Sequence, residues 1–128
     1  MYPTESVLQQ ILDTITLPTE GSIRKLSKRD VTYALRNGLL AVQKTGLQGK
    51  FHMIYRGGYV SNAYKYVGYA DIVEVVVSVD ISGNITLEYA DARRGVAPCR
   101  FKGHGNTLVV RHGARVGLGR VILTSLPE

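Results

Sequence analysis

Apolar residues open the chain at helical spacing. Val7, Leu8, Ile11, Leu12 and Ile15 recur at intervals of one, three and four, which is one face of an α-helix. Thr4 stands where an N-cap belongs for a helix starting near Glu5, and Pro18 and Gly21 end it. Ser27 opens a second helix, with Asp30 in the capping-box position as a shorter substitute for the usual Glu. Val31, Ala34, Leu35, Leu39 and Val42 line its apolar face, and Gly46 lies where a C-cap glycine belongs. Gly38, inside this helix, costs about 1 kcal/mol relative to Ala and reads as a point of close packing against the first helix. Helices are therefore predicted over about 5–16 and 28–45.

The period then changes to 2. Phe51, Met53 and Tyr55 alternate with His52 and Ile54. The stretch from Gly57 to Gly68 reads as a long loop or an irregular hairpin. Val73, Val75, Val77 and Val79 share one face of a strand, with Asp71 on the same face by alternation and Glu74 and Ser78 on the other. Ser82-Gly83-Asn84 makes a turn, and Ile85, Leu87 and Tyr89 form the apolar face of the return strand. Further strands follow around Thr107–Arg111 and Gly119–Thr124, with His112-Gly113-Ala114-Arg115 as the turn between them. The expectation is an α+β fold: two N-terminal helices packed on one face of a mostly antiparallel sheet of about five strands, the strands running from about 50 to 126. Residues 1–128 are read as a single domain, a length at which one core suffices.

Composition narrows the class further. Apolar residues make up 45% and charged residues 20%, which argues for a folded globule against a disordered chain. Cys99 is the only cysteine, which excludes an internal disulfide and fits a reducing, cytoplasmic compartment. No basic segment followed by an apolar run opens the chain, and no apolar run approaches the ~20 residues of a membrane helix, so no membrane partner is expected. The Asn84-Ile85-Thr86 sequon is then idle.

The charge is segregated. Residues 24–50 hold seven basic residues against Asp30 alone, and residues 92–127 hold seven more with no acid. Between them, residues 51–91 hold two basic residues against five acidic ones. Two basic blocks flanking an acidic hairpin suggest a polyanionic partner, or simply a solubilising surface.

Three features bear on such a partner. Tyr55, Tyr59, Tyr64, Tyr66 and Tyr69 are interleaved with Arg56 and Lys65; exposed aromatic faces stack bases while nearby cations meet phosphates. The competing role for these tyrosines is packing within strands. Arg29, Arg36 and Gln43 lie seven apart on one helix face, which suits a phosphate backbone or plain solvation. Arg93-Arg94-Gly95, Arg100-Phe101-Lys102-Gly103 and Arg111 to Arg115 set arginines beside glycines, which suits phosphate contact by guanidinium and backbone N–H groups, or charged β-turns.

Catalytic signatures are weak. Arg111-His112-Gly113-Ala114-Arg115 is similar to the RHGxR string of histidine phosphatases, but thirteen residues follow it where that family has a large domain, and Val116-Gly117 replaces the usual proline. Ala41 to Phe51 is similar to a helix-to-strand passage of a small-subunit ribosomal protein family, whose serine-rich C-terminal signature is missing here. His52, His104 and His112 are far apart, a lone Cys99 makes no zinc site, and Gly46-Leu47-Gln48-Gly49-Lys50-Phe51 is not a Walker loop. Asp71, Glu74, Asp80, Glu88 and Asp91 show no catalytic spacing. No cofactor, metal or catalytic residue is expected.

The expectation is a non-enzymatic protein that binds single-stranded or irregular RNA or DNA through Arg29, Arg36, Arg56, Tyr59, Tyr64, Lys65, Tyr66, Arg93, Arg94, Arg100, Lys102, Arg111 and Arg115. A structural or regulatory protein–protein module of phage accessory type, with copies pairing head to tail as a homo-oligomer, is the alternative. A nucleotide or phosphate-ester binder using Arg/His loops is the third reading.

Overall fold

A computed structural model describes residues 4–16, 28–59, 68–92, 107–111 and 120–126, with side chains at 4–16, 28–57, 71–92 and 121–126. Helices α1 (Thr4–Thr14) and α2 (Lys28–Thr45) precede strands β1 (Gly49–Tyr59), β2 (Gly68–Val79), β3 (Ile85–Ala92), β4 (Thr107–Arg111) and β5 (Arg120–Ser125). The strands form one five-stranded sheet in the order β3-β2-β1-β5-β4, with every neighbouring pair antiparallel. The α+β class and the N-terminal helices are as the periodicity implied.

Both helices cover one face. Val7, Leu8 and Ile11 of α1 and Val31, Ala34, Leu35, Leu39 and Val42 of α2 share a core with Phe51, Met53, Tyr55, Val73, Val75, Val77, Val121 and Leu123 of the strands. α1 stops at Thr14, two residues short of the expected end, but the Ile15 N–H still reaches the Ile11 carbonyl at 3.1 Å and Ile15 is buried. The Thr4 hydroxyl donates to Gln43 Oε1 at 3.3 Å, so this residue ties α1 to α2. At the other end of α2, Gly46 takes the left-handed conformation (φ 66°) and its N–H bonds the Gln43 carbonyl at 3.3 Å, the expected C-cap.

Gly38 is a close-packing point, but against the sheet and not against α1. A Cβ there would run into Met53 Sδ and lie 3.0 Å from Val121 Cγ1. The missing side chain lets α2 settle onto β1 and β5, which offsets the helix-propensity cost of glycine.

Two bulges change which residues face the helices. Tyr55 pairs with Val73 and Arg56 with Asp71, so Ile72 is the extra residue of β2. Ile72 and Val73 both enter the core, and Asp71 moves to the side of Arg56, away from the face that strict alternation assigns it. On β3 the extra residue is Glu88: Val76 pairs with Tyr89 and Val77 with Leu87. Beyond it Ala90 and Ala92 pack on the core, and Tyr89 leaves the apolar face that alternation assigns it. β1 runs on to Tyr59, so the first residues of the expected 57–68 loop are strand; residues 60–67 lie outside the described set. Gly57 makes room for a ring, since a Cβ there would sit 2.9 Å from Tyr55 Cε2.

Candidate nucleic-acid interface

The sheet has two chemically different ends. One end gathers Tyr55–Tyr59 of β1, Gly68–Asp71 of β2, Ala92 of β3, Arg111 of β4 and Arg120 of β5. The chain leaves this end after Tyr59, Ala92 and Arg111, so segments 60–67, 93–106 and 112–119 all begin here. The N-terminal turn of α2 is at the same end. Burial pushes the Tyr55 phenol up to about 12, and the Asp30 carboxylate adds to the shift, which places the first turn of α2 beside Tyr55. Lys28 and Arg29, both exposed, belong to that turn.

Register brings arginines together that are far apart in sequence. Arg56 on β1 is directly opposite Arg120 on β5, and Arg120 is directly opposite Arg111 on β4. Three arginines thus occupy one row across three adjacent strands, with Asp71 of β2 completing the row on the far side of Arg56. Neighbouring strands lie about 4.8 Å apart, so the backbone of the arginine row spans about 10 Å. Like charges directly opposite one another destabilise a sheet, and such a row needs anions. Asp71 supplies one: Arg56 Nε donates to its Oδ1 at 2.7 Å, with both side chains partly exposed (42% and 25%). Segments 57–70 and 92–127 hold no Asp or Glu at all.

The other expected residues are distributed as follows. Arg29 is exposed at this end. Arg36 lies seven residues further along α2, about 10 Å by helical rise, and its Nε donates to Glu5 Oε1 of α1 at 2.8 Å. With Gln43 held by Thr4, the Arg29–Arg36–Gln43 stripe divides: Arg29 stays at the basic end, and the other two engage α1. An exposed ion pair such as Arg36–Glu5 contributes at most about 1 kcal/mol, so it exchanges readily. Tyr59 and Arg111 are placed by their backbone at this end. Tyr64, Lys65, Tyr66, Arg93, Arg94, Arg100, Lys102 and Arg115 lie outside the described residues, as do Cys99, His104 and His112. Tyr55, first of the tyrosine run, is buried in the core and is no stacking platform. Arg120 is the residue the sequence analysis missed; it shows only when β1, β5 and β4 are set in register.

The face of the sheet away from the helices carries a second polar feature. His52 Nε2 and Glu74 Oε2 are 2.7 Å apart, and both residues are buried (3% and 0% exposed). Thr124 is buried on the same face, with Ile54 and Val76. Glu74 is directly opposite Asp91, itself hydrogen-bonded by the Tyr89 hydroxyl at 3.4 Å. No group of three or more His, Cys, Asp or Glu side chains among the described residues could hold a metal ion.

The opposite end of the sheet carries the β2–β3 turn and exposed apolar side chains. Asp80 caps the β2–β3 turn, accepting from the backbone N–H groups of Ser82 and Asn84 at 2.9 Å each. These bonds, that of Asn84 foremost, hold its carboxyl below the usual range. Beside the turn a hollow of about 380 Å³ is lined by Val42, Leu47, Val79 and Ile81, among others. Leu47 and Ile81 are 56% and 85% exposed. Among the described residues no helix is long and apolar enough to cross a membrane. No family model, no curated protein and no solved structure matches the chain.

Proposed function

We propose that the protein binds single-stranded or irregular nucleic acid at the end of the sheet marked by Arg56, Arg120 and Arg111, without catalysing a reaction. The row of three directly opposed arginines supports this most strongly. Its like charges repel, and among the described residues Asp71 is the carboxylate paired within the row. A phosphate backbone is the anion that meets a row of guanidinium groups repeatedly. The segment between β1 and β2 contains Tyr64, Lys65 and Tyr66, the residue types that stack bases and meet phosphates. The single cysteine agrees with such a role in a reducing cytoplasm.

The test is fluorescence anisotropy of labelled single-stranded DNA and RNA oligomers at two salt concentrations. Binding that weakens steeply with salt is expected, and replacing Arg111 and Arg120 together with Gln should lower the slope of log K against log salt by about 2, one per lost phosphate contact. No binding at low salt overturns the proposal.

One observation favours a second reading. Leu47 and Ile81 stand exposed around a hollow at the opposite end, as on a surface that meets another protein, including another copy. Light scattering at low and high salt tests self-association; a salt-insensitive monomer removes the head-to-tail form of this reading.

A further inference from the structure

Among the described pairings, Arg56 is the member of the arginine row directly opposite a carboxylate, and the two groups are in contact: Arg56 Nε donates to Asp71 Oδ1 at 2.7 Å. The bulge at Ile72 brings this about, because strict alternation through Asp71-Ile72-Val73 would put Asp71 on the face of Val73. We infer that Asp71 is a resident competitor for the phosphate site, an internal carboxylate that occupies Arg56 and must be displaced or shared when a nucleic-acid phosphate arrives. This rests on the nucleic-acid reading above and adds to it a residue that sets affinity.

The chemistry of the pair fits such exchange. Carboxylate and phosphate oxygens accept the same guanidinium N–H groups. The pair is partly open to solvent, with 42% of the Arg56 side chain and 25% of the Asp71 side chain exposed, so an incoming anion can reach it. Exposed ion pairs are weak ties, so a polyanion can break this one for no more than about a fivefold loss in affinity. A buried bidentate pair would instead close the site. Asp71 thereby discriminates between ligands: a single weak anion does not outcompete a tethered carboxylate, whereas a polyanion held by Arg120 and Arg111 does.

The experiment is a double-mutant cycle in the anisotropy assay, with one labelled single-stranded oligonucleotide and four proteins: wild type, Asp71→Asn, Arg56→Gln and the double variant. Asp71→Asn is expected to bind about three- to fivefold more tightly than wild type. In the Arg56→Gln background the same change should alter affinity by less than about 1.5-fold, since the Arg56–Asp71 contact is already gone. Wild-type binding with Asp71→Asn equal or weaker overturns the inference and makes Asp71 a positioning group for Arg56. An equal gain in both backgrounds also overturns it, because any lost negative charge would do the same. Failure of all four proteins to bind at low salt overturns the nucleic-acid reading itself. Thermal melts accompany the series, and Asp71→Ser takes the place of Asp71→Asn if that variant melts early.

Discussion

The two faces of this sheet are buried by different physics. Toward the helices the central strands present Met53, Val73, Val75, Val77, Val121 and Leu123, all apolar and nearly sealed from solvent. Toward the other side they present His52, Ile54, Glu74, Val76 and Thr124, equally sealed yet largely polar. The first face is stabilised by removing hydrocarbon from water, at roughly 25 cal/mol per Å². The second depends on each polar group keeping its partner, because a buried charge without one is costly. A large apolar loss on the first face leaves a cavity, while a small polar change on the second takes a hydrogen-bond partner from a buried group.

That contrast is broken most severely at Glu74. Glu74→Ala should cost about 3–5 kcal/mol in urea unfolding, since His52 loses its 2.7 Å partner in a buried site. Replacing both residues with Leu should cost less than the single change; a double variant worse than Glu74→Ala would mean that burial, not pairing, governs this face. On the helix side, Leu35→Ala should cost about 3 kcal/mol through transfer and cavity terms, with the slope of the unfolding curve unchanged.

Tyr55 sharpens the comparison through pH. Its phenol titrates near 12 in the fold against 10.0 in the unfolded chain, so the folded state holds the proton longer. Stability from this group is intact below pH 10.0 and falls as pH rises toward about 12, by about 2–3 kcal/mol in all. Alkaline unfolding curves of Tyr55→Phe should lack that component. The smallest effect is at Gly38. Ala there gains helix propensity of up to about 1 kcal/mol. The added Cβ meets Met53 and Val121, so the net change should be a loss of about 1–2 kcal/mol in a thermal melt. A stabilised Gly38→Ala would show that Met53 yields without cost.

The helices and the helix-facing strand residues were legible in the sequence because both rest on local periods. Val7 to Ile15 and Val31 to Val42 mark their faces directly, and the observed Lys28–Thr45 helix coincides with the expected one. Asp71 and Tyr89 were misplaced because a bulge shifts the alternation by one residue and leaves no local trace. His52 and Glu74 alternate with apolar neighbours as solvent-facing residues do, and their burial comes from contacts distant in sequence. The candidate site was half visible for the same reason. Arg56 and Arg111 stood out by charge, whereas Arg120 gains its place only from the pairing of β5 between β1 and β4. Arg36 could be placed on a helix face, but nothing local showed that Glu5 would be within 2.8 Å.

The extra residue at Ile72 has a consequence for how this surface can change over generations. It inverts the parity of β2: Val73, Val75 and Val77 face inward after it, whereas Asp71 before it lies on the side of Arg56. The outer segment of the strand is thereby uncoupled from the packing rules of the inner one. Substitutions at Asp71 can retune the charge beside Arg56 without disturbing Val73, Val75 or Val77. Removing Ile72 would restore a regular ladder with Asp71 still opposite Arg56, so the ion pair would keep its place while the core loses one apolar side chain.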